Sequence, residues 1–150
     1  MFQVLLILSV VFSIYSVVEA TCPGGWTQYG NGTNCYNFGL VPVTWPLCDS
    51  ACAGLNATML CSPDATTNAW LWAQTGNTST WIGFSDIGHV GNYTWVSGCS
   101  STYTNWDINQ PDNQGIENYA YFYTRGKWDN FGAFNKVCAC QMTYDYNVTE

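Results

Sequence analysis

Positive charge is nearly absent from this 150-residue sequence. Only Arg125, Lys127 and Lys136 are basic, against ten acids, and the formal net charge is −7. Such a surface repels phosphate backbones, which excludes nucleic acid as a partner. Histidine occurs once, as His89 between Gly88 and Val90. With no nucleophile–base pair and no second histidine, the expectation is a surface residue and a chain that is not an enzyme. Charged residues of any sign make up 9% of the chain, so solubility falls to Asn, Thr, Ser and Gly and to attached glycans. No apolar run follows the first twenty residues, so no membrane span is expected. There is no internal repeat, no linker and no lipid-anchor tail.

Cysteine and aromatics are plentiful by contrast. Val4 to Val18 is a nearly continuous apolar run ending in Val18-Glu19-Ala20, with small residues where a signal peptidase cuts. Residues 1–20 are therefore expected to be a signal peptide, residues 21–142 one domain and residues 143–150 a C-terminal tail. Loss of Glu19 changes the formal charge from −7 to −6. All eight cysteines lie after the cleavage point. An even number in a secreted, extracellular chain implies four disulfides, and the single histidine and absent knuckle spacing make zinc a poor alternative. Sequons stand at Asn31, Asn56, Asn77, Asn92 and Asn147, marking a glycoprotein. The eight Trp, ten Tyr and seven Phe serve as core filler, with some free to stack on sugar rings.

Local patterns place the elements. Cys22 to Phe38, with turns at Gly24-Gly25 and Tyr29 to Gly32, predicts a hairpin that Cys22 and Cys35 could staple. Thr44 to Leu55 predicts a helix with Thr44 as N-cap, Pro46 in the first turn, and Cys48, Ala51, Cys52 and Leu55 on the buried face. A second helix is expected from Ser62, the N-cap, to Gly76, burying Ala65, Ala69, Trp72 and Ala73. Short apolar stretches at 81–84, 93–96, 119–123 and 136–142 predict strands. The polar segment Ser97 to Gly115 is a long loop, of the kind that carries function.

Several motifs then fall in one order. Cys22-Pro-x-x-Trp26, Cys35-Tyr36, Thr44-Trp45 followed by Cys52, Trp81-Ile82-Gly83-Phe84, Tyr93-Thr94-Trp95, Gln110-Pro111-Asp112, Glu117-Asn118, Trp128-Asp129-Asn130 and Cys140-Gln141 resemble the long-form C-type lectin-like domain. The resemblance implies an α+β C-type lectin fold, with two helices, two small antiparallel sheets and a long loop region, stapled by disulfides. It also implies Cys22–Cys35 and Cys52–Cys140. The family's other bridge would join positions held here by Tyr119 and Ala133. Cys48, Cys61, Cys99 and Cys138 can pair in three ways. Cys48 lies one helical turn before Cys52 and Cys138 two residues before Cys140, which favours Cys48–Cys138 and leaves Cys61–Cys99.

The same resemblance implies a calcium and sugar site. Gln110, Asp112, Glu117, Asp129 and Asn130 would hold one Ca2+ and, through it, two neighbouring sugar hydroxyls, after a cis Pro111. Amides donate where carboxylates accept, which suits hydroxyl ligands. The order Gln-Pro-Asp goes in the family with galactose or N-acetylgalactosamine. No aromatic follows it, leaving Trp106 or Tyr103 to stack. Asp86 and Asp107 could serve a second ion, but the turn-forming role fits them better. The expected function is a secreted calcium-dependent carbohydrate-binding lectin. The alternative is a calcium-independent protein-, mineral- or ice-interaction domain. Glycosidase chemistry from Asp112 and Glu117 is set aside because the pair sits among ligand-like residues. Glycans are the expected partners, and oligomerisation would add avidity.

Overall fold

The computed structural model describes residues 21–144; the expected signal peptide, the rest of the tail and Asn147 lie outside them. In chain order the elements are β1 (Thr27–Gln28), β2 (Asn34–Asn37), β3 (Pro42–Val43), α1 (Trp45–Gly54), β4 (Thr58–Met59), α2 (Ala65–Gln74), β5 (Thr80–Ser85), β6 (Thr94–Trp95), β7 (Tyr119–Phe122), a 3-10 turn (Thr124–Gly126), β8 (Trp128–Phe131), β9 (Lys136–Val137) and β10 (Cys140–Thr143). One sheet runs β1-β2-β10-β4. The other runs β3-β9-β5-β7-β8, with β6 also on β5. All pairings are antiparallel except the contact of β5 with β9. This is the expected α+β plan. The final strand reaches one residue past the expected boundary at 142, because Thr143 pairs with Asn34 and the Tyr144 N–H donates to the Thr33 carbonyl.

Four disulfides join Cys22–Cys35, Cys48–Cys138, Cys52–Cys140 and Cys61–Cys99. Two of them run side by side from α1 to the C-terminal segment, each with Cα atoms 5.4 Å apart. Where the family's other bridge would begin, Tyr119 instead stacks on Trp45 with ring centroids 4.7 Å apart.

The helices form where expected; Cys48 and Cys52 of α1 are buried as expected, while α2 buries another face. α1 turns Trp45, Cys48 and Cys52 inward, while Ala51 and Leu55 are exposed. Thr44 caps it through its carbonyl alone. α2 begins two residues later than expected. Asp64, not Ser62, is its N-cap, accepting from the Thr67 N–H at 2.8 Å and the Thr67 hydroxyl at 2.9 Å. A carboxylate makes the stronger, charge-assisted cap, and the Ser62 hydroxyl donates to Asn68 instead. The buried face of α2 is Thr67, Asn68 and Leu71; Ala65, Ala69 and Ala73 are exposed and Trp72 is half-buried. Alanine contributes little apolar area, whereas Asn68 has three buried partners. Its Oδ1 accepts from the Trp128 indole (2.7 Å) and Ser62 (2.9 Å), and its Nδ2 donates to the Gly126 carbonyl (2.9 Å). Asn68 thereby ties α2 to the start of β8.

Two predictions follow from these contacts. Asn68→Ala strands a buried indole N–H and a buried hydroxyl, and should cost about 2–4 kcal/mol in urea unfolding. The Asp64 carboxyl is held below its ordinary range by the Thr67 donors. Its contribution is complete above an unfolded pKa of about 3.9 and is lost as pH falls through the lower folded value. The stability gap between wild type and Asp64→Asn should therefore close below about pH 4, as acid titrations of unfolding would show.

Candidate functional site

The long segment from Ser97 to Gly115 packs on one face of the six-stranded sheet through its aromatics. Trp106 and Tyr103 both make edge contacts to the buried Trp128, at 5.9 and 5.6 Å, and Trp106 forms an isolated bridge with Trp128. Neither ring is thus a free platform for a sugar, because each is half-buried against the core. Beyond them the Gln110–Pro111 bond is cis, as expected. Asp107 contributes its backbone to this turn, its N–H to the Trp128 carbonyl and its carbonyl to the Gln110 N–H.

Asn130 holds the loop. It is 1% exposed, and its amide is used completely. Oδ1 accepts the Asp112 N–H at 2.9 Å, while Nδ2 donates to the Asp112 carbonyl at 2.6 Å and the Glu117 carbonyl at 2.7 Å. The Gln110 Oε1 shares the Asp112 N–H at 3.1 Å. The two carboxylates meet a common donor, since Asn113 Nδ2 reaches Asp112 Oδ1 at 3.3 Å and Glu117 Oε2 at 3.1 Å. Asn113 sits at φ +45°, a conformation asparagine tolerates better than most. The Tyr93 hydroxyl donates to the Glu117 carbonyl at 2.7 Å. Burial raises the Tyr93 pKa, helped by the negative charges of Asp86, Glu117 and Asp112.

Asp129 is elsewhere. Adjacent strand residues point to opposite faces, so when Asn130 faces the loop Asp129 faces α1. There its Oδ2 accepts the Tyr121 hydroxyl at 2.8 Å. Beside it Lys136 Nζ stands 3.6 Å from the Tyr121 ring centroid and 4.4 Å from that of Phe131. Burial lowers the Lys136 pKa, opposed by Asp129 and Glu117; burial and Asp129 raise that of Tyr121. The structure therefore groups Gln110, Asp112, Glu117 and Asn130 and leaves Asp129 on the far side of the sheet. Among the described residues, no three acids bring their oxygens within 4.8 Å of one another.

Asp86 behaves as a turn former: its Oδ2 accepts the Gly91 N–H at 2.7 Å and its carbonyl the His89 N–H. His89 itself is exposed. Sequence reasoning missed Tyr93, Asn113, Tyr121 and Lys136. Only Asn113 carried a signal, as the amide next to Gln110-Pro111-Asp112.

Comparison with known proteins agrees with this architecture. The Lectin C-type domain family matches residues 41–142. This chain belongs to that family. Lectin BRA-3 of Megabalanus rosa is 31% identical to it over 150 residues, covering 93% of this chain and 90% of that lectin. The alpha-N-acetylgalactosamine-specific lectin of Patiria pectinifera is 31% identical over 131 residues, covering 81% and 75%. Among solved structures, the C-type lectin CEL-I of Cucumaria echinata superposes with a TM-score of 0.75 at 25% identity, over 84% of this chain and 100% of that one.

Asn130→Asp tests the latch. It removes two donors and sets a carboxylate against two carbonyl oxygens, so without added metal the domain should lose about 2–4 kcal/mol. The Asp112 amide should exchange with solvent markedly faster, as hydrogen-exchange mass spectrometry or NMR would detect.

Proposed function

We propose that this lectin-family domain binds glycans of the galactose or N-acetylgalactosamine type at the 110–117 loop, with one weakly held Ca2+, and that it does so as a secreted glycoprotein. The observation that carries this reading is the pairing of the Asp112 and Glu117 carboxylates on one neutral amide, that of Asn113. Two anionic oxygens gathered on one side-chain N–H offer a cation two charged ligands. With the Gln110 carbonyl oxygen they form an all-oxygen donor set of the kind Ca2+ takes.

The fit is partial, and it shapes the proposal. Asn130 spends its amide on backbone groups and Asp129 spends an oxygen on Tyr121. The ion would thus be held by Gln110, Asp112 and Glu117, with Asn130 as the positioning residue. Two nearby carboxylates instead of three imply affinity on the order of 10⁻⁴–10⁻³ M. When bound, calcium supplies a Lewis-acidic centre for two neighbouring sugar hydroxyls. The residues around it complete the hydrogen bonds, the carboxylates accepting and the Gln110 amide donating. The order Gln110-Pro111-Asp112 and the specificity in the name of the Patiria pectinifera relative support the galactose leaning. Asn31, Asn56, Asn77 and Asn92 are all exposed, as attachment sites for glycans must be. A single shallow site of this kind gains most from oligomerisation.

Because Asn130 holds the loop from within, calcium is needed for the ligand and not for the fold. Retention on a galactose matrix should be lost in EDTA, while the melting temperature moves little. An ion present at its Kd adds only about 0.4 kcal/mol. Asp112→Asn and Glu117→Gln should each abolish retention with the fold intact. Retention indifferent to EDTA, or calorimetry showing no calcium uptake, would favour the calcium-independent interaction domain instead.

A further inference from the structure

The turn between β5 and β6 is built against the 110–117 loop. Asp86 closes it from within, its side chain accepting the Gly91 N–H and its carbonyl the His89 N–H, and the His89 carbonyl accepts the Asn92 N–H at 2.8 Å. Gly91, at φ +79°, comes so close that a Cβ there would stand 2.9 Å from Gln114 Oε1. Val90 Cγ1 lies 3.5 Å from where a Cβ on Gly115 would be. The Tyr93 hydroxyl donates to the Glu117 carbonyl. Residues 90, 91 and 93 thus stand against the loop that carries Asp112 and Glu117, and the backbone of Asn92 is fixed among them.

Asn92 is exposed and opens the sequon Asn92-Tyr93-Thr94. The other described sequons stand elsewhere. Asn31 lies between β1 and β2, while Asn56 and Asn77 follow the ends of α1 and α2. The turn and the loop it meets also present aliphatic side chains to solvent: Ile87, Val90 and Ile116 are 57%, 67% and 77% exposed. An attached glycan is bulky and solubilising, and here it would cover that apolar surface. We propose that an N-linked glycan on Asn92 overhangs the 110–117 loop and sets which ligands reach it. A free monosaccharide passes beneath such a cover, whereas a glycan displayed on a polymer or a surface is excluded whenever the cover is in place. If the loop is open for about one-tenth to one-third of the time, apparent affinity for a displayed glycan falls about three- to tenfold. The selection of ligands rests on the reading of this loop as the sugar site; the covering does not.

The test compares wild type from a glycosylating host with Asn92→Gln, with Thr94→Ala, which destroys the same sequon, and with Asn31→Gln as the distant control. Mass spectrometry should find Asn92 occupied in wild type. In EDTA, hydroxyl-radical footprinting should label Val90 and Ile116 about threefold or more heavily in Asn92→Gln and Thr94→Ala, with Asn31→Gln like wild type. With calcium, the same two variants should be retained about three- to tenfold more strongly on a galactose matrix, while the Kd for free methyl galactoside stays within about twofold. Enzymatic deglycosylation of the folded wild type repeats the comparison without a substitution. An unoccupied Asn92, or equal labelling in all of the proteins, would overturn the proposal, as would equal matrix retention where free methyl galactoside binds. Methyl galactoside binding to none of them, with the labelling change intact, would overturn the loop reading and the selection of ligands and leave the covering standing.

Discussion

The geometry of the loop depends on one side-chain amide meeting three backbone groups from two places in the chain. Asn130 contributes one acceptor and two donors, and Asp112 and Glu117 present one N–H and two carbonyls in matching positions. A carboxylate at that point could satisfy the N–H but would repel both carbonyls. An amide at residue 130 therefore makes a set of three bonds that an acid there could not. It closes the loop neutrally. Outside that closed group the Asp112 side chain is exposed and that of Glu117 half-buried.

The six-stranded sheet separates two kinds of chemistry. Its loop-facing side carries Phe84, Trp95, Trp128 and Asn130, with the cis-proline turn above them. The side facing α1 carries Trp81, Tyr121 and Cys138, with Lys136 beside the rings and Asp129 within reach of its charge. A half-buried lysine over aromatic faces with a nearby carboxylate is a satisfied group: the rings offer cation–π attraction and Asp129 offers opposite charge. Asp129 also accepts the Tyr121 hydroxyl there, on the side away from the loop.

Much of this was legible in the residues. The resemblance implied Cys52–Cys140, and the cysteine one helical turn before Cys52 and the one two residues before Cys140 then favoured Cys48–Cys138 beside it. Gln110-Pro111 announced the cis turn. Cys48 and Cys52 marked the buried face of α1, but that of α2 was not legible: counting apolar residues favours Ala65, Ala69 and Ala73, and nothing local reveals that Asn68 meets Ser62, Gly126 and Trp128. The division between Asp129 and Asn130 was available in principle, since neighbours on a strand face opposite ways. The resemblance, which treats the two positions as one ligand group, hid it.

The paired bridges from α1 to the end of the domain have a consequence for resistance to proteolysis. Cys48–Cys138 and Cys52–Cys140 span every peptide bond between Cys52 and Cys138. A protease that severs the backbone once anywhere in that interval, including the exposed polar loop, yields two fragments that stay covalently tethered. Such a nicked molecule would still keep both sheets' strands attached to one another, and a single cut would not release either piece.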